Sequence, residues 1–104
     1  MNTKTFYTGE LKTGDLIAVN DYKITLGFYL GRGINYSKQF YSFRALNYWI
    51  EHPNSGSPRK WYILENEPCR RIMKITSEHF DEETMKEYEK ALEAMKKLEI
   101  QCYE

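Results

Sequence analysis

From Lys23 to Gly31 the chain alternates. Ile24, Leu26, Phe28 and Leu30 fall on one face of an extended segment, and Thr25, Gly27, Tyr29 and Gly31 on the other. Successive strand side chains point to opposite faces, so a period of two kept over this length predicts a strand with a half-buried face. A helix would scatter the same four apolar residues around its surface. Gly27 and Gly31 share a face, which predicts a bulge or a close approach of another backbone.

A strand needs partners, and the first 75 residues supply them. Leu16–Val19 is an apolar run between the turn signals Thr13-Gly14-Asp15 and Asn20-Asp21. Lys38–Phe43 reads as a third strand, Trp61–Glu65 as a fourth and Arg70–Ile75 as a fifth, the last two separated by Asn66-Glu67-Pro68. Asn47–Ile50 reads as a short strand or a helical turn. His52–Lys60, with two Pro, one Gly and two Ser, is a loop.

The period changes after residue 80. Met85, Tyr88, Leu92, Met95 and Leu98 recur at steps of three and four, the stripe of an amphipathic helix. Asp81 is a good N-cap, and Glu82 and Glu83 suit the positive end of the helix dipole. Phe80 and Met85 have the spacing of a hydrophobic staple. Glu82–Lys86 and Glu93–Lys97 are i,i+4 pairs in the favourable order. The stripe is shorter than a free coiled coil needs, so the helix is expected to pack on its own domain, leaving a monomer or a weak homodimer. The expected organisation is one domain, 1–104, with β-structure over 9–75 and a helix over 80–100.

Charge divides the chain at the same place. Residues 1–74 hold eleven Lys and Arg against six Asp and Glu, a net charge of +5; residues 75–104 hold four against nine, a net charge of −5. The total of zero supports neither a nucleic-acid or membrane binder nor an acidic DNA mimic. The first 74 residues also carry 13 of the 16 aromatic residues. So many rings are enough to build a core and exclude disorder as the main state. No apolar run has the length of a signal peptide or a membrane span. A cytoplasmic protein is expected, with Cys69 and Cys102 as reduced thiols rather than a disulfide framework.

Leu11-Lys12-Thr13-Gly14-Asp15-Leu16-Ile17-Ala18-Val19 resembles the opening of small five-stranded barrels of the Tudor, KOW and Src-homology type, which often begin with a Gly-Asp turn and an apolar strand. Gly27–Gly33 is similar to their bent second strand, and Arg70–Ile75 to a closing strand. The resemblance spans residues 9–75. It implies a mostly β fold: a five-stranded antiparallel, partly open barrel, here capped by the C-terminal helix. The long loop before Trp61 and the acidic helix depart from that pattern. In its shortness and its Tyr- and Lys/Glu-rich composition the chain also resembles the small accessory proteins of bacteriophages. That resemblance implies an inhibitor or modulator that docks on a host or anti-phage defence protein, and carries over no individual residue.

The residues offer little chemistry. His52 and His79 have no visible nucleophile partner and read as solvated loop histidines. Two scattered Cys and two His do not make a zinc site. Gly27–Gly33 lacks the Lys-Ser/Thr ending of a phosphate loop and the helix of a dinucleotide fold. Glu82, Glu83, Glu87 and Glu89 read as a solvated helix face. No catalytic residue, metal ligand or cofactor is therefore expected, and the chain reads as a non-enzyme.

The remaining constellation is aromatic and basic. Tyr29, Arg32, Tyr36, Lys38, Tyr41, Arg44 and Trp49 interleave rings with cations, and Arg59-Lys60-Trp61 repeats the pairing. Any single ring belongs by default in the core, but a barrel of about 70 residues encloses few side chains, so some rings should stay outside. Tyr and Trp with Arg dominate protein-binding hot spots. The leading expectation is a contact surface around Tyr29, Arg32, Tyr36, Tyr41 and Trp49, with Arg59–Trp61 at its rim, binding a host or defence protein. The alternative is a single-stranded nucleic acid, whose bases stack on rings while cations meet its phosphates. A small molecule or nucleotide between rings ranks third.

Overall fold

The computed structural model describes residues 11–33, 37–64 and 71–102. Five strands, β1 (Leu16–Asp21), β2 (Lys23–Arg32), β3 (Ser37–Ser42), β4 (Trp61–Leu64) and β5 (Arg71–Lys74), are joined by two helices, α1 (Phe43–Glu51) and α2 (Glu82–Cys102). They build one antiparallel sheet in the order β4-β3-β2-β1-β5. The first four strands cross the sheet in sequence, and β5 returns to pair with β1. The expected strand number, antiparallel pairing and C-terminal helix all hold. The barrel is not closed, because β4 and β5 form the two ends of the sheet rather than pairing with each other.

Helix α1 covers Asn47–Ile50, the segment read as a short strand or a helical turn, and begins earlier than that reading, at Phe43. Ser42 caps it, its Oγ accepting from the Ala45 N–H at 3.1 Å. Phe43, Leu46 and Trp49 then bury one face. His52 precedes Pro53, which disfavours further helix and ends it. The aromatic run through Phe43 reads locally as strand, and only its first part is one: β3 stops at Ser42 and Phe43 begins the helix.

Both faces of the sheet are buried at its centre. One carries Phe28 and Tyr41, which pack with Phe43, Leu46 and Trp49 of α1 and with Ala91, Ala94, Met95 and Leu98 of α2. The expected α2 stripe is therefore right at Met95 and Leu98, while Tyr88 and Leu92 are only partly buried and two alanines let the helices approach. Asp81 caps α2, accepting from the Thr84 N–H at 2.7 Å, and hydrogen bonding from the Thr84 side chain first and its backbone second holds the Asp81 carboxyl below the usual carboxylate range. Phe80 lies edge-on to Tyr88 and Phe43, closing this core at the helix start. The other face carries Ile17, Val19, Tyr29, Phe40, Ile63 and Ile72, all from strands. Fully burying one such residue as large as Phe28 or Ile17 stabilises by about 1.5–3 kcal/mol, so neither face is dispensable.

The two strand glycines have separate tasks. A Cβ on Gly27 would run into the Tyr41 carbonyl oxygen, so the β2–β3 pairing there requires glycine. Gly31, at φ +129°, sits where the β2–β3 register shifts between Tyr29 and Gly31. The close approach and the bulge expected from the sequence are both present.

Candidate functional site

Tyr29, Tyr41 and Trp49 are 7%, 5% and 8% exposed and belong to the two cores. Tyr29 and Tyr41 therefore form no outer contact face, and Trp49 offers little exposed area to one, which corrects the expectation placed on them. The reason differs by element. Tyr29 and Tyr41 sit at the centre of the sheet, where each face is covered, and Trp49 lies on the inward face of α1. Lys38 is buried as well. Arg32 is exposed, but it ends β2 while Lys23 begins it, and extended chain of that length spans on the order of 30 Å. It stands away from the surface described next. Tyr36 and Cys69 lie outside the described residues.

Trp49 has a positioning task instead. Its indole N–H donates to the Gly56 carbonyl at 2.7 Å, tying the His52–Lys60 loop to α1. That loop delivers Arg59, Lys60 and then Trp61, all exposed. Trp61 is 50% exposed, one side of its ring set against buried Phe40 with centroids 6.2 Å apart. It is an anchored ring with an open face.

The other exposed rings gather around it. Tyr22, Ile24, Tyr48, Trp61 and Tyr62 are the large hydrophobic residues that stand exposed among the described residues. Each lines at least one of three grooves, and Trp61 lines all three. The first groove, about 580 Å³, runs between the start of β2 and α1 and carries Lys23 and Arg44 with Glu51 and Glu87. The second, about 270 Å³, lies under the β1–β2 turn between Tyr22, Tyr62 and Phe40. The third, about 360 Å³, lies between α1 and the loop and carries Arg44 and Arg59. Of the residues expected to bind, Arg44, Trp49, Arg59 and Trp61 line this third groove, Trp49 as a largely buried part of its wall, with Lys60 adjacent in the chain.

The β1–β2 hairpin explains how Tyr22 comes to be exposed, and Ile24 follows two residues later in β2. Asp21 pairs with Lys23, leaving Tyr22 alone at the tip with φ 64° and its side chain fully in solvent. The left-handed region costs an L-residue about 1–2 kcal/mol, and strain of this kind concentrates at functional sites. Asn20-Asp21 marked the turn in the sequence, but nothing there marked a tyrosine in it. Tyr48 is steadied by stacking on His52, with ring centroids 4.3 Å apart. His52 is otherwise exposed, as expected.

The charges at this surface are fixed unevenly. Lys90 Nζ lies 2.6 Å from Glu51 Oε2, and this hydrogen bond and charge hold the Glu51 carboxyl below the usual carboxylate range. The pair joins α1 to α2. Asn47 adds a second link, its Nδ2 donating to the Glu87 carbonyl at 3.3 Å. By contrast, Arg44 and Arg59 make no ion pair with any described residue. Among the described residues no cluster of His, Cys, Asp or Glu is placed to hold a metal ion, and no helix is long and apolar enough to cross a membrane. Comparison with known proteins finds no matching family model, no matching curated protein and no matching solved structure.

Proposed function

We propose that the chain is a non-enzymatic protein-binding module whose contact surface is centred on Trp61. The observation that carries this reading is that each of the other four exposed large hydrophobic residues lines a groove that Trp61 also lines. Scattered single hydrophobics on a surface need no explanation, but a contiguous group marks an interaction site. Tyr, Trp and Arg are the residue types that dominate binding energy at protein interfaces. Ile24 favours protein over nucleic acid, since an aliphatic side chain offers no face on which a base can stack. The first groove favours it too, because Glu51 and Glu87 offset Lys23 and Arg44 there and leave no net positive charge for a phosphate chain. A host or defence protein, as the resemblance to phage accessory proteins implies, is the first class of partner to try.

The test is parallel capture from bacterial host cells by the immobilised wild type and by Trp61→Ala. Capture of a specific protein by the wild type, reduced about tenfold or more by the substitution, supports the reading. Equal capture by both, or retention of nucleic acid alone, contradicts it.

A further inference from the structure

We infer that the groove between α1 and the loop before β4 receives an acidic peptide segment of the partner, with an apolar or aromatic side chain seated against Trp61. This rests on the protein-binding reading and gives the partner its chemistry. The groove is about 360 Å³, at the small end of ligand pockets, with room for a few side chains. Arg44 and Arg59 line it, and none of its lining residues is Asp or Glu. Neither guanidinium is paired with a described residue.

The first turn of α1, where Arg44 sits, has no acidic residue to offset it. The rings of Tyr48 and Trp61 and the Ser55 and Ser57 segment of the loop line the same groove. Carboxylates accept paired N–H donors from guanidinium, and rings take the adjoining apolar side chain. The neighbouring first groove is different: Arg44 lines it too, but there two cations, Lys23 and Arg44, are balanced by two carboxylates, Glu51 and Glu87. Of the three grooves, a lining with net positive charge is thus confined to this short cleft. That extent matches a few acidic residues in a peptide better than a nucleic-acid strand, whose charge runs on past the groove into those carboxylates.

The experiment selects binders from a random peptide library with the immobilised full chain. Affinities of the recovered peptides are then measured for the wild type, Trp61→Ala and Arg44→Glu/Arg59→Glu, with an oligothymidylate as competitor. The expected result is enrichment of peptides bearing Asp or Glu beside an aromatic or Leu residue. Their affinity should fall roughly tenfold or more in both variants and weaken with salt. Loss of fold does not account for such a fall, because a Glu in the first turn of α1 favours that helix; unchanged thermal melting verifies it. Recovery of neutral or basic peptides, recovery of none, affinity indifferent to the Arg44→Glu/Arg59→Glu exchange, or tighter binding of the oligonucleotide overturns the inference. The protein-binding reading has its own arm. Cellular capture that needs Trp61 but survives the double charge exchange sinks the acidic segment and leaves the module standing.

Discussion

Trp49 and Trp61 line opposite sides of one groove, yet they belong to different regions. Trp49 faces inward from α1, is 8% exposed, and spends its N–H on the loop that follows. Trp61 starts an edge strand, rests one side on Phe40, and leaves the rest to solvent. The rings of the core are enclosed because α1 and α2 cover Phe28 and Tyr41 on one face of the sheet, while Tyr29 and Phe40 pack among strand residues on the other. The rings of the rim are open because the β1–β2 hairpin and the start of β4 lie where that enclosure ends. A surplus of aromatic residues therefore says that some must be outside, while the phase of α1 and the position of the hairpin tip decide which.

The sharpest way to break this comparison is to truncate each tryptophan. Trp49→Ala should lose about 3–5 kcal/mol of stability, and Trp61→Ala only about 1 kcal/mol, measured by urea unfolding with m-values compared. Similar losses at both positions would erase the distinction between core and rim. Gly27→Ala should cost about 1–3 kcal/mol, since the new methyl must displace the Tyr41 backbone. Little or no cost would mean that β2 and β3 do not approach as closely as described.

Tyr22→Gly sharpens the comparison from the other side. Relief of the left-handed strain should raise stability by about 1 kcal/mol, while capture of the partner falls. A variant both more stable and fully active would remove Tyr22 from the surface. The smallest effect concerns acid. Glu51 and Asp81 have lowered folded-state pKa values, so each favours the fold above its unfolded pKa, and that favour is lost as pH falls through the folded value. Stability should thus decline gently below roughly pH 4, and Glu51→Gln should flatten part of the decline. An unchanged acid limb would indicate that the Glu51–Lys90 pair does not join the helices in solution.

Much of the fold was legible because it rests on local periodicity. The alternation around Phe28 fixes a strand, although its centre is buried on both faces and Ile24, on the expected inward face, stands exposed; the stripe through Met95 and Leu98 fixes a helix and its inward face. Helix α1 was obscured by the aromatic residues that precede and begin it, although Ser42 with Phe43, Leu46 and Trp49 at three-residue steps was a readable start signal. The candidate site was legible only where exposure follows from the loop, at Arg59, Lys60 and Trp61, and at Arg44. Tyr29, Tyr41 and Trp49 looked the same in sequence as the rings that are exposed, because burial of a ring depends on what packs across from it. Tyr22, Ile24, Tyr48 and Tyr62 join the surface through tertiary placement, which no spacing in the chain encodes.

The central claim is that the partner meets Trp61 and not Trp49. Incorporating 5-fluorotryptophan into this chain alone and recording fluorine NMR spectra, free and with the captured protein, tests it directly. The account predicts a solvent isotope shift for Trp61 that is large in the free chain and falls on binding, and a small shift for Trp49 in both states. A Trp61 resonance untouched by the bound protein, or a Trp49 resonance as solvent-sensitive as that of Trp61, would contradict it.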